Sequence, residues 1–149
     1  MYIIFKLSVK QVNKTVENVT NIAGVPSWNL VLIKHILEQT GKSNLLEVWP
    51  NLELFTHGGV SFAPYREQFR KLIPSDKMNY MEAYNASEGF FAIQDDPSQD
   101  SMLLMLDYGI FYEFIPMDEF HKESPTVLTI RDITPGKNYA LVISTNSGL

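Results

Sequence analysis

The chain contains no cysteine, which excludes disulfide bonds, thiolate catalysis and zinc–thiolate sites. Positive charge is also scarce: 12 Lys and Arg residues stand against 17 Asp and Glu, and the net charge of -5 leaves no basic face for nucleic acid. No apolar run approaches the roughly 20 residues of a membrane span. The apolar start at Met1–Phe5 is too short for a signal peptide and has no basic region before it. These absences favour a cytoplasmic protein without nucleic-acid or membrane partners.

The residues that are present predict one globular α/β domain. Hydrophobic residues make up 45% of the 149 positions and charged residues 19%, which is typical of a chain with a sizeable core. Strands are expected at Val19–Ala23, Leu52–Thr56 and Asn79–Ala83, and the helices between them start at Pro26 and Pro64. Strands that alternate with helices predict a mostly parallel sheet with covering helices.

The second half of the chain predicts an antiparallel strand region. Its expected strands are Phe90–Ile93, Met102–Leu106, Ile110–Ile115, Val127–Ile130 and Tyr139–Ser144. Two of them, Met102–Leu106 and Ile110–Ile115, are expected to pair as a hairpin through Asp107-Tyr108-Gly109. At the other end of the chain, apolar residues spaced two to four apart predict an amphipathic helix over Leu7–Val19.

A polar stretch, Tyr84-Asn85-Ala86-Ser87-Glu88-Gly89, separates two apolar runs and is the strongest candidate for a site. Asn, Ser and Glu are costly to bury without partners, so these side chains are expected at the surface. A loop at the end of a sheet strand is where α/β proteins usually bind ligands. The stretch offers a hydroxyl, an amide, a carboxylate and an aromatic face, which suit a nucleotide and its metal ion. The alternative is an ordinary polar turn between strands.

A second candidate is His57-Gly58-Gly59-Val60, which directly follows the expected strand Leu52–Thr56. Two glycines after a strand allow the backbone to pass close to something flat or bulky. A plain tight turn explains the same residues equally well.

Five segments together resemble the auxin-responsive Gretchen Hagen family of acyl-acid–amido synthetases, in its bacterial branch. These segments are Asn21–Trp28, His57–Val60, Tyr84–Gly89, Phe111–Pro116 and Thr145–Leu149. They occur in the family's order, and the agreement extends from about Val19 to Leu149, whereas residues 1–18 fit less well. The family is similar in fold and chemistry to the adenylate-forming enzymes, which include firefly luciferase and the acyl-CoA ligases. The resemblance implies that residues 1–149 are one part of the large N-terminal adenylation domain of such an enzyme.

The resemblance also implies roles for individual residues. Ser87 would hydrogen-bond the α-phosphate of ATP, and Glu88 would hold Mg²⁺. The adenine and ribose of ATP or AMP would lie along Tyr84, Asn85 and Ala86. The turn at Gly58 and Gly59 would lie against the adenine, with His57 and Val60 close to the acyl pocket. The implied substrates are a carboxylic acid, which is activated to an acyl-adenylate, and an amine such as an amino acid, which receives the acyl group.

Two other nucleotide motifs of that family are not found in the 149 residues. They are a Ser/Thr/Gly-rich phosphate loop, expected before Met1, and an aromatic-Arg-Tyr stretch leading to Gly-Asp, expected after Leu149. The chain is therefore interpreted as an internal fragment that is inactive by itself, because positioning and charge stabilisation need these parts together. An acyl-CoA-ligase-like enzyme is the alternative within adenylate-forming enzymes. A non-catalytic binding module is the alternative outside them, and open sheet edges would then favour self-association.

Overall fold

The computed structural model describes residues 18–146, which fall into two units. Of the described residues, the first unit contains 18–86 together with Ala92–Leu104, and the second contains Ser87–Phe91 together with 105–146. The helix predicted over Leu7–Val19 lies almost entirely outside the described residues. Within residues 18–146, no helix is both long enough and apolar enough to cross a membrane.

A five-stranded sheet lies mostly within the first unit. Its strands are β1 (Asn21–Gly24), β2 (Leu54–His57), β3 (Asn79–Ala86), β4 (Gly89–Ile93) and β5 (Leu103–Leu104), and they lie side by side in this order. The pairs β1–β2 and β2–β3 are parallel, as the strand–helix alternation predicts. The pair β4–β5 is antiparallel, and the two-residue connection from β3 to β4 also requires antiparallel strands. The sheet is therefore mixed, and the prediction of a mostly parallel sheet holds only for its first three strands.

Helix α1 (Pro26–Thr40) connects β1 to β2, and local signals define both of its ends. Pro26 occupies the first turn, where its missing N–H costs nothing. Gly41 ends the helix with a left-handed φ of 66°, and its N–H donates to the Leu37 carbonyl. The buried face is narrower than the apolar residues suggest, because Val31 is 70% exposed.

The core of the first unit lies between the sheet and its helices. Phe55 on β2 is fully buried, and the register places it beside Ile22 of β1 and Tyr80 of β3. Helix α2 (Arg66–Leu72) contributes Phe69, whose ring stacks on Phe55 with centroids 4.6 Å apart. Residues of α1 join the same cluster, so both α-helices of residues 18–146 pack with the face of the sheet that carries Phe55. Leu45, from the short 3₁₀ helix Leu45–Glu47, belongs to this cluster as well.

The second unit contains a three-stranded antiparallel sheet. Strand β6 (Ile110–Pro116) lies between β7 (Leu128–Thr129) and β8 (Tyr139–Thr145). The antiparallel region predicted at this end of the chain is thus confirmed. The predicted hairpin of Met102–Leu106 with Ile110–Ile115 is wrong, because Leu103–Leu104 pairs with β4 and β6 belongs to the other sheet. Strand pairing depends on distant backbone partners, and short local spacing did not reveal them.

Candidate functional site

The polar stretch between the two apolar runs forms a β-hairpin, with Ser87 and Glu88 as its two-residue turn. Both turn residues are exposed, as expected from the cost of burying them. The strands are longer than the apolar pattern predicts: Tyr84, Asn85 and Ala86 belong to β3 and not to a loop. Their side chains are exposed too, so β3 continues as a strand beyond the buried part of the sheet.

Gly58 lies beside β3 where this extension begins. The register of β2 with β3 ends at the pair His57 and Glu82, and the chain then bends at Gly59 and Val60. A Cβ atom added at Gly58 would lie 2.2 Å from the Ala83 carbonyl oxygen and 3.8 Å from Asn85 Oδ1. The close approach expected of this glycine is therefore an approach to the backbone of β3. Asn85 and Gly58, two of the residues predicted to form the site, are neighbours.

Gly59 meets a different requirement. Its φ of +82° lies in the left-handed region that residues with a Cβ rarely adopt, and the residue is exposed. The two glycines thus form a bend whose first member packs on β3 and whose second member turns the chain. This geometry agrees with the tight-turn interpretation of the motif, and it also leaves the backbone of Gly59 open to a ligand.

His57 and Val60, the residues predicted to lie near an acyl pocket, have different surroundings. His57 is 4% exposed, and its ring stacks on Phe62 with centroids 4.2 Å apart. Burial, and to a lesser extent the charge of Arg66, lowers the pKa of His57 from 6.5 to about 4. The imidazole is therefore neutral at physiological pH, and its Nδ1 atom has no hydrogen-bond partner among the residues described. Val60, by contrast, is 42% exposed.

A groove of about 730 Å³ in the first unit was not predicted. Its lining includes Arg66, Arg70 and Tyr80 but none of the predicted site residues. The sequence signal was present, because Arg66 and Arg70 are four residues apart on one helix.

Comparisons with known proteins match the chain in two segments. A family model described as "GH3 family N-terminal domain" matches residues 4–78, and one described as "GH3 family central domain" matches residues 103–149. The hairpin of β3 and β4 lies between the two matched segments.

Curated relatives agree with these matches. The chain is 26% identical to "Indole-3-acetic acid-amido synthetase GH3.3" of Arabidopsis thaliana over 153 aligned positions, which cover 97% of this chain and 23% of that protein. It is also 26% identical to "Indole-3-acetic acid-amido synthetase GH3.4" of the same organism, over 87% of this chain and 23% of the relative. The chain therefore spans about a quarter of the length of these relatives.

A solved structure shows the same fold. The structure titled "AtGH3.15 acyl acid amido synthetase in complex with 2,4-DB" superposes with a TM-score of 0.56 at 20% identity, covering 80% of this chain and 21% of that one. A mixed sheet with few helices is thus part of the fold of that synthetase. Because the N-terminal-domain model alone matches half of the chain, the family resemblance is confirmed, and this protein belongs to the GH3 family.

Proposed function

We propose that this chain is part of an acyl-acid–amido synthetase, an enzyme that activates a carboxylic acid with ATP and transfers the acyl group to an amine such as an amino acid. One observation carries this proposal. The two GH3 domain matches stand in order on either side of a hairpin whose turn presents a hydroxyl and a carboxylate to solvent. Relatives named as amido synthetases support the reaction class.

In this proposal the hairpin turn binds the phosphates of ATP. Attack of a carboxylate on the α-phosphate increases negative charge on the phosphate oxygens, and a fixed hydroxyl donor such as Ser87 stabilises that charge. Glu88 is exposed beside Ser87, so its carboxylate is open to a cation. Within residues 18–146 no three His, Asp or Glu side chains form a cluster for a metal. Mg²⁺ fits a single carboxylate, because it usually keeps several waters and takes its other ligands from phosphates. When bound, the ion neutralises phosphate charge.

The strand residues before the turn would bind the nucleoside. Side chains alternate along a strand, so Tyr84 and Ala86 lie on one face of β3 and Asn85 on the other. Asn85 lies next to Gly58, which makes its amide the natural hydrogen-bonding partner for an adenine placed against Gly59. Tyr84 offers an aromatic face to the base or the ribose.

The two residues predicted to lie near the acyl pocket, His57 and Val60, differ in burial, so we assign them different roles. Val60 is exposed and can contact an apolar acyl group directly. His57 is buried against Phe62, so we assign it to the wall behind that contact.

Calorimetric titration of the 149-residue chain with ATP, with and without magnesium, tests the role of the turn. We expect Glu88→Gln to remove the magnesium dependence of ATP affinity, because the carboxylate is lost. Ser87→Ala should weaken ATP binding by about 1.5–3 kcal/mol, the contribution of a hydrogen bond to a charged group. Glu123→Gln and Ser124→Ala are matched controls, since they change the same two residue types at exposed positions.

The outcome that contradicts the proposal is equal ATP affinity for the parent and both turn variants at limiting magnesium. The same samples can be tested for ATP–pyrophosphate exchange with a panel of carboxylic acids. We expect no exchange by the isolated chain, because it contains neither the Ser/Thr/Gly-rich loop nor the Arg-Tyr…Gly-Asp stretch. Exchange clearly above background would show that these 149 residues suffice for adenylation.

A further inference from the structure

The groove of about 730 Å³ in the first unit has hydrogen-bond donors on its walls. Arg66 and Arg70 line it from helix α2, and Tyr80 lines it from strand β3. Arginine carries five N–H donors and no acceptor, so these two side chains cannot satisfy each other. The groove therefore suits a ligand that supplies acceptor oxygens and negative charge.

The two arginines are positioned to act on the same ligand. They are four residues apart on α2, a spacing that places side chains next to each other on one helix face. The guanidinium of Arg66 lies over the Phe62 ring, with Cζ 5.2 Å from the ring centroid. This contact restrains the side chain without using its N–H donors.

Arg70 has an ion-pair partner, but the pair is weak. Its Nη1 atom lies 3.2 Å from Glu67 Oε1, and the two side chains are 62% and 74% exposed. Exposed pairs of this kind contribute little free energy because water and salt screen them. Arg70 can therefore exchange Glu67 for a ligand, or bind both.

The third donor, the Tyr80 hydroxyl, is buried and has no hydrogen-bond partner among the described residues. Buried hydroxyl groups nearly always have a partner, because leaving one unpaired costs free energy. Burial raises the pKa of this hydroxyl, while the charges of Arg70 and then Arg66 act to lower it. The hydroxyl thus stays protonated as a donor, and it lies within the field of both arginines.

We propose that Arg66, Arg70 and the Tyr80 hydroxyl form a binding site for the oxyanion group of a small ligand, a phosphate or a carboxylate. The anionic oxygens would accept hydrogen bonds from the two guanidinium groups and from the hydroxyl that otherwise has no partner. Charge-assisted bonds to arginine are the strong class of hydrogen bond. Asp76 also lines the groove, so the anionic end of the ligand faces the arginines and not this carboxylate. The site does not include the hairpin turn at Ser87 and Glu88.

Titration calorimetry with three probes tests this site and separates the two anion types: inorganic phosphate, pyrophosphate and acetate, each at constant ionic strength. We expect at least one probe to bind below about 10 mM. Arg70→Gln should weaken that binding about tenfold through the loss of a charged donor. Lys71→Gln is the matched control, because Lys71 is the next residue on α2, has the same charge and does not line the groove. It should leave the affinity within about twofold.

Tyr80→Phe distinguishes a binding role from a structural one. The variant should bind the probe about tenfold more weakly while its melting temperature stays the same or rises, because the lost hydroxyl has no partner in the free protein. A probe bound at the turn of Ser87 and Glu88 would be unaffected by Arg70→Gln and Tyr80→Phe, so these two variants keep the result independent of the proposed function. The proposal is overturned if no probe binds, if Lys71→Gln weakens binding as much as Arg70→Gln, or if Tyr80→Phe leaves probe affinity unchanged.

Discussion

Replacing Gly58 by alanine is the sharpest test of how β2 and β3 position the candidate site. The added Cβ would lie 2.2 Å from the Ala83 carbonyl oxygen, whereas real Cβ contacts are essentially never shorter than 3.0 Å. One of the two backbones must therefore move by about 0.8 Å, the difference between these distances. The opposing atom is main chain, and β3 is held in register with β2 directly before this point, so little relaxation is available.

Overpacking of a well-packed site costs about 1–3 kcal/mol, and sometimes more. Because backbone meets backbone here, we expect Gly58→Ala to lower the free energy of unfolding by about 3 kcal/mol. With a urea m-value of about 2 kcal/mol/M, the unfolding midpoint should fall by about 1.5 M while m stays constant. Equilibrium urea unfolding without any nucleotide is the assay, since the effect arises within the fold itself.

Gly41→Ala is the control for this experiment. Gly41, unlike Gly58, has a left-handed φ, 66°, and an added Cβ there meets nothing within 4 Å. Gly41→Ala should therefore lower the free energy of unfolding only by the backbone strain of alanine in that conformation, about 1–2 kcal/mol. If Gly58→Ala were no more destabilising than Gly41→Ala, the close approach of Gly58 to β3 would be refuted, and a ligand would become the better explanation for this glycine.

Two further predictions concern the buried aromatic cluster around Phe55. His57 has a folded-state pKa of about 4, against 6.5 for the free side chain, so the unfolded chain binds more protons between these two pH values. The free energy of unfolding should therefore fall by about 3 kcal/mol in total as the pH decreases through this interval. Urea unfolding at pH 7 and pH 4.5 measures this loss; His57→Phe should reduce it, and an undiminished loss in the variant would contradict the reasoning. Phe55→Ala should lower the free energy of unfolding by about 3–5 kcal/mol in the same assay, because Phe55 is fully buried and stacks on Phe69. The control is Phe111→Ala, at a side chain that is 58% exposed, and it should cost less than about 1 kcal/mol. Equal losses in the two variants would contradict the assignment of Phe55 to the core.

Local signals in the sequence predicted much of the first unit. Pro26 and Gly41 mark the ends of α1, because their effects depend only on their own backbone geometry. The alternation of strands and helices predicted the parallel pairs β1–β2 and β2–β3. A helix between two strands returns the chain to the edge of the sheet where the first strand began, so the second strand runs parallel to the first. Surface exposure of Ser87 and Glu88 followed from the cost of burying polar groups.

The roles assigned to the site residues come from a different source. Resemblance to a family, now confirmed by the domain matches, assigned Ser87 and Glu88 to a nucleotide and its metal ion. Composition and spacing alone favoured an ordinary polar turn between strands. The structure adds that both side chains are exposed, and the binding role stays a prediction.

The amino-acid sequence by itself determined the helix ends, the order of strands and helices, and which side chains avoid the interior. These features depend on residues that are neighbours in the chain. Only the tertiary structure decided that Leu103–Leu104 pairs with β4, that Tyr84 belongs to a strand, that His57 is buried and neutral, and that Gly58 packs on the Ala83 carbonyl. The physical reason is the same in each case. Strand pairing, burial and close approach are set by atoms far away in sequence, and local propensities carry no information about those partners.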